Sequence, residues 1–299
     1  MTDIPAPPPV ERVADLIELL DLEDLGFDRF LGRRKKGGIG RVFGGQVVAQ
    51  ALCAAQNTVG KERPVHSLHA YFLRGGSEDH PIELRVERPF DGGSFSNRHV
   101  TAWQLDRPIL TLSASFQKPR AGFAHQDAVM PKTPEPEGLP SDEEMRAELA
   151  REATGLRKQM LDVVWPIEMR QVDKSAWFAG QPGEPRLRSW FRCAAPLPDD
   201  PLLHRAVLAY ASDLQLLGTS IIPHGNSWHK GGLATASLDH AIWFHADFRA
   251  DEWLLYSMES PWAGDSRGYN RGQIFRADGT LVASVIQEGM IRQIETPTD

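Results

Sequence analysis

Apolar and polar positions along the 299-residue chain change period in a set order. Arg41 to Val59 is dense in Val, Ala, Leu and Gln and predicts a helix of about four turns. Strand patterns follow at His66–Arg74, Ile82–Arg88, Ser94–Trp103 and Ile109–Gln117, and Ile82-Glu83-Leu84-Arg85-Val86 alternates strictly, as a half-buried strand requires. Lys118 to Pro140 then carries five prolines and few apolar residues, and the acid-rich Ser141-Asp142-Glu143-Glu144 follows it. Proline fixes φ and removes a donor, so this stretch predicts a linker. The chain becomes strand-like again near Val163–Val172. Pro201–Leu217 predicts a second helix, and strands are predicted at Thr235–His245, Trp253–Glu259, Gly268–Phe275 and Leu281–Ile291. Asp278-Gly279 is a hairpin signal between the last two.

The two runs share their order and some short words. Leu68-His69-Ala70-Tyr71-Phe72 echoes Asp239-His240-Ala241-Ile242-Trp243-Phe244, and Asp91-Gly92-Gly93-Ser94 echoes Ala263-Gly264-Asp265-Ser266. Thr111 to Gln117 echoes Leu281 to Gln287, which sets Gln117 opposite Gln287. Three echoes in sequence predict a duplicated unit of one helix followed by strands, an α+β design with an antiparallel sheet packed on a helix. The predicted division is 1–119, a linker with an acidic helical segment over 120–160, and 161–299.

Composition narrows the function. With 40 acidic and 33 basic side chains the net charge is −7, which argues against gripping nucleic-acid backbones but leaves room for a local basic pocket. Two cysteines, Cys53 and Cys193, exclude a disulfide framework and point to a reducing compartment. Met1–Val10 lacks a basic and an apolar signal region, the tail lacks Ser-Lys-Leu, and no apolar run reaches membrane-span length. The expectation is a cytoplasmic protein.

Several motifs fail in context. Gly264-Asp265-Ser266-Arg267-Gly268 matches a nucleophile elbow, but a strand pattern follows it and the last histidine, His245, lies upstream; a turn is predicted instead. Gly38-Ile39-Gly40 has Phe43 at the third glycine of a dinucleotide fingerprint and a basic run before it, so a loop is predicted. His66 and His69, and likewise His240 and His245, fall on opposite strand faces, and no metal or cofactor site is predicted. Cys53, among alanines and Leu52, reads as a buried filler.

Three polar residues survive. Leu203, Ala206, Tyr210, Asp213 and Leu217 share one helix face, so Asp213 is a carboxylate in an apolar stripe. Gly44 to Val59 has no acid at all, which marks the second half as the chemically distinct one. Gln287 shares parity with Leu281, Ala283 and Val285 and so projects from an apolar face. Ser237 opens the strand before Asp239-His240. Each also has a structural reading: a helix-end acid on a backbone group, an amide linking strands as Gln117 would, and a serine at a turn.

At these residues the chain resembles the acyl-CoA thioesterase II family. The resemblance rests on Phe43-Gly44-Gly45-Gln46-Val47-Val48-Ala49-Gln50-Ala51-Leu52, Val65 to Arg74 and Phe90 to Ser96 in the first half. In the second it rests on Ala211-Ser212-Asp213-Leu214, Ser237 to His245, Glu252 to Tyr256 and Val282 to Gly289. It implies a double hotdog fold, each half wrapping an antiparallel sheet around a long helix, with an Asp, a hydroxyl residue and a Gln in the second half as the active site. Those fall on Asp213, Ser237 and Gln287, with serine where the family commonly has threonine. It further implies an acyl-CoA substrate and a homodimer or homotetramer. A hotdog enoyl-CoA hydratase and a non-catalytic acyl-CoA-binding protein are the competing expectations.

Overall fold

The computed structural model describes residues 6–36, 40–173, 180–226 and 232–294. Gly38 and Ile39 of the predicted glycine loop lie outside the described residues. Three elements precede the first predicted helix: α1 (Pro9–Leu20) and the short strands β1 (Glu23–Gly26) and β2 (Arg29–Gly32). The helix itself, α2 (Gly44–Asn57), is buried at every residue from Gly45 to Gln56. A helix enclosed on all sides needs small or apolar residues all round, which is why its pattern is dense and carries no acid. Around it run β3 (Val65–Phe72), β4 (Ile82–Asp91), β5 (Phe95–Gln104) and β6 (Arg107–Gln117).

The linker is extended at first and then forms α3 (Asp142–Ala150) and α4 (Gly155–Leu161). Ser141 and Glu144 close a reciprocal capping box at the start of α3, so the acidic run is a helix start. The second half has β7 (Ile167–Gln171), β8 (Arg186–Cys193), α5 (Pro201–Ala211), β9 (Leu233–Ser237), β10 (Asp239–Phe244), β11 (Leu254–Gly264), β12 (Arg267–Arg276) and β13 (Leu281–Gln293).

All these strands join in one sheet, in the order β1-β2-β4-β5-β6-β3-β10-β13-β12-β11-β8-β7, with β9 also on β13. The order mirrors itself about the antiparallel β3–β10 pair, where Ala70 faces His240 and Leu68 faces Ile242. Each half is thus α+β, a helix enclosed by an antiparallel sheet, as the resemblance implies. The two helices pack on each other, and one apolar core runs through both halves. Among the described residues no helix is long and apolar enough to cross a membrane.

The register corrects the repeat. Arg98 pairs with Ala114 and Val100 with Leu112, while Asn270 pairs with Gln287 and Gly272 with Val285. Val65 pairs with Phe116 as Ser237 pairs with Gly289. Gln287 therefore stands where the first half has Ala114, and Ser237 where it has Val65. The expected partner, Gln117, pairs instead with Phe95 near the sheet end, as Met290 does with Arg267. The slip arises at the hairpin. Both hairpins carry a register shift just before the turn, at Ala102/Trp103 and at Ile274/Phe275, but Leu105-Asp106 closes β5–β6 in two left-handed residues, whereas β12–β13 closes through a longer turn at Gly279.

Two more expectations change in detail, and a third holds. The predicted helix Pro201–Leu217 ends at Ala211, and the chain resumes as a 3₁₀ turn over Leu216–Ser220. Ser212 Oγ bonds back to Ala209 O at 3.1 Å, a local bond that competes with helix continuation. The single predicted strand Thr235–His245 breaks at Leu238 into β9 and β10. The elbow-like Asp265-Ser266 is a hairpin turn with φ of 49° and 60° at its two residues, as predicted.

Glycines make the close contacts possible. A Cβ on Gly289 would lie 2.4 Å from Leu217, and one on Gly268 would lie 2.2 Å from Ser220 Oγ, so both leave room for the 3₁₀ turn. A Cβ on Gly45 would lie 2.4 Å from the backbone oxygen of Tyr210, where α2 meets α5. Backbone cannot rotate aside as a side chain can. Gly45→Ala is expected to lower stability by about 1–3 kcal/mol in urea unfolding. Gly93→Ala, which meets nothing within 4 Å, is the unaffected control.

Candidate active site

Asp213 leaves the end of α5 in the turn after Ser212, not on the helix itself. Gln287 points inward from β13 and is fully buried. Ser237 ends β9. The break at Leu238 matters here, because strict alternation would set Ser237 and His240 on opposite faces. With the break, Ser237 reaches Gln287 and His240 is also buried on the inner side.

The three residues meet through the amide of Gln287. Its Nε2 donates to Asp213 Oδ1 at 2.5 Å and to Ser237 Oγ at 3.0 Å. A further donor comes from the first half: the Gly45 backbone N–H bonds to the Asp213 carboxylate. Helix α5 is capped by its own Asp200, which accepts from Leu202 N at 2.9 Å. Helix α2 begins at Phe43 with no side-chain cap. Asp213 fills that role from across the molecule, a carboxylate at a helix start where the dipole favours negative charge. Gly44 permits the approach, since a Cβ there would lie 2.6 Å from Asp213 Oδ2.

Burial pushes the Asp213 carboxyl up to about 6. The bonds from Gln287, Gly45 and Ser237, in that order, oppose the rise but do not cancel it. The carboxylate is thus a base poised near neutrality.

His240 enters the site without having been raised as a candidate for it. Its Nδ1 lies 4.0 Å from Asp213 Oδ1 and has no hydrogen-bond partner, while Nε2 is 2.9 Å from Ser212 Oγ. Burial pushes its pKa down to about 3, so the ring is neutral. By register it takes the place of Leu68, a relation that word matching hides by aligning it with His69.

The first half has no such group. Val65, Leu68 and Ala114 occupy the positions of Ser237, His240 and Gln287. Arg98, opposite Ala114, is 2% exposed and donates to Thr58 Oγ1 at 2.8 Å and Asp91 Oδ1 at 2.8 Å. A satisfied guanidinium fills the space there.

A cavity of about 660 Å³ opens beside Asp213, Ser237 and Gly44. Phe43, Trp165 and Met169 give it an apolar wall, and Phe43 meets the Trp165 and Tyr210 rings edge-on at 5.2 and 5.1 Å. Met160 and Leu161 of α4 and Arg146 of α3 also border it, so the linker is part of the cavity and more than a spacer. A larger hollow of about 860 Å³ lies beside β8, β11 and β12, and none of the three candidates borders it.

The other candidates stay structural. Cys53 is buried, its thiol pushed up to about 12. His66 bonds Ser115 Oγ at 2.9 Å, and His69 packs edge-on against Trp243. Among the described residues no group of three or more His, Cys, Asp or Glu could hold a metal.

Comparison with known proteins agrees with this architecture. Residues 33–117 match the acyl-CoA thioesterase N-terminal domain and residues 157–290 the acyl-CoA thioesterase family. Human acyl-coenzyme A thioesterase 8 is 40% identical over 96% of this chain and 91% of its own length. Acyl-CoA thioesterase 2 of Haemophilus influenzae is 37% identical over 93% and 97%. The crystal structure of an acyl-CoA thioesterase II from Mycobacterium marinum is 42% identical, with a TM-score of 0.75 over 92% of this chain and 97% of that one. The chain therefore belongs to the acyl-CoA thioesterase family, thioester hydrolases of the double hotdog fold.

Proposed function

We propose that Asp213, Ser237 and Gln287 hydrolyse an acyl-CoA thioester to a free acid and CoA. The observation that carries this reading is the Gln287 amide bridging Asp213 and Ser237 on the wall of a largely apolar cavity. Asp213 takes a proton from a water held among the three side chains. The water oxygen attacks the thioester carbonyl carbon, giving a tetrahedral oxyanion. Gly44, in the first turn of α2 where amides lack an intrahelical acceptor, borders the cavity and donates to that oxyanion. Collapse breaks the C–S bond, and the proton held on Asp213 passes to the departing thiolate. No step calls for a metal or a redox cofactor. The acyl chain lies along Phe43, Trp165 and Met169.

The same reading divides the chain into a hotdog unit over 1–119, a linker over 120–160 that helps wall the site, and a second unit over 161–299 bearing the chemistry. We take it as a cytoplasmic homodimer or homotetramer; of the two sheet ends, β1 is the open one, while β7 is bridged by Ser141.

Asp213→Asn and Gln287→Ala are expected to lower kcat by about 10²–10⁴ in an assay of free thiol from acyl-CoA. Rates like those of the unsubstituted protein would exclude the site. A hydratase would release no thiol at all. In the unsubstituted protein kcat/KM falls below a midpoint near pH 6, as protonation removes the base.

Stability moves the other way. The folded pKa of about 6 lies above the unfolded value of about 3.9, so the native state binds the proton more tightly. Burying the charge therefore costs stability, fully above pH 6 and not at all below about pH 4. Asp213→Asn is expected to gain about 3 kcal/mol at pH 8 in denaturant unfolding and to show no gain at pH 4. An equal effect at both values would refute the raised pKa.

A further inference from the structure

A chain of net charge −7 that takes acyl-CoA must hold a polyanionic substrate. Three arginines border the cavity beside Asp213. Arg146 is buried and neutralised by Asp142 at 2.6 Å. Arg41 and Arg157 are exposed, and among the described residues neither side chain donates a hydrogen bond or joins an ion pair. Elsewhere some exposed arginines, such as Arg29, Arg88 and Arg271, each hold a carboxylate. Among the described residues Arg107, Arg120, Arg151 and Arg292 are exposed and unpaired as well, and what sets Arg41 and Arg157 apart is that both border the cavity that holds Asp213.

Arg41 is also held in place. Its backbone bridges to Ser77, and Val42 N bonds Gly76 O at 3.0 Å. Arg157 comes from α4 in the linker. The two reach the cavity from separate elements, one just before α2 and one from the linker wall. Phe43, Trp165 and Met169 supply its apolar lining.

We propose that Arg41 and Arg157 form a cationic rim that binds phosphate groups of the CoA moiety. This rests on the thioesterase reading of the cavity. Guanidinium suits the task because its planar fork matches phosphate oxygens and stays charged at any working pH. The diphosphate and the 3′-phosphate share this chemistry. The linker then contributes to substrate recognition through Arg157.

The test compares one acyl group on CoA, on 3′-dephospho-CoA and on pantetheine. Unsubstituted protein is expected to favour acyl-CoA over acyl-pantetheine by at least about tenfold in kcat/KM, with the preference eroded by salt. Arg41→Glu and Arg157→Glu are expected to bring that ratio down toward one, mainly through KM. Arg41→Lys and Arg157→Lys keep most of it. If the dephospho substrate behaves like acyl-pantetheine the rim holds the 3′-phosphate, and if like acyl-CoA it holds the diphosphate. An unchanged ratio in both Glu variants, or no preference in the unsubstituted protein, would overturn the rim. Calorimetry with free CoA separates the two readings because it needs no turnover. Weaker CoA binding in the Glu variants without thiol release from any thioester would keep the rim and overturn the hydrolase reading.

Discussion

The arrangement depends on a carboxylate from one half sitting at the start of the helix of the other. Asp213 accepts from the Gly45 N–H of α2 and from Gln287 of β13, and so ties both helices to the sheet. A buried charge is tolerated only when donors surround it, and an uncapped helix start needs an acceptor. Each deficit answers the other. The contact requires that α2 and α5 meet closely, which fixes Gly44 and Gly45. It also requires that the second helix stop at Ala211, and the following 3₁₀ turn then needs the inward glycines of β12 and β13.

Duplication supplies the scaffold, and departure from duplication supplies the polarity. Matching positions hold Val65 and Ser237, Leu68 and His240, Ala114 and Gln287. The first member of each pair packs a core, while the second turns polar groups toward Asp213. Arg98 and Asn270 correspond as well, and Arg98 satisfies its guanidinium within the first half. One constellation per chain follows from these substitutions alone. The cavity is nevertheless built jointly, from Gly44 of the first half, the linker helices and the second half.

Much of this was legible in the sequence. Strand alternation and the dense helix around Val47 gave nearly all of β3 to β6 and β10 to β13, because half-buried strands imprint period two. Asp213 and Gln287 stood out as polar residues on apolar faces. The register did not, because matching by residue type paired Gln117 with Gln287 across a longer hairpin turn. His240 was hidden by the same slip and by the break at Leu238, which resets the facing of Ser237. Strands β1, β2 and β8 and helix α1 were missed, the strands being short or following a loop-rich stretch. The acidic helical segment expected in the linker is α3 and α4, but their place against the cavity was not legible, because it depends on packing between distant parts of the chain.

The central claim is that burial holds the Asp213 carboxyl near neutral pH. Carbon-13 NMR of protein labelled at aspartate Cγ tests it directly, with the Asp213 resonance identified by its loss in Asp213→Asn. The account predicts a titration midpoint near 6. A midpoint at or below about 4, the range of an ordinary solvated aspartate, would contradict it.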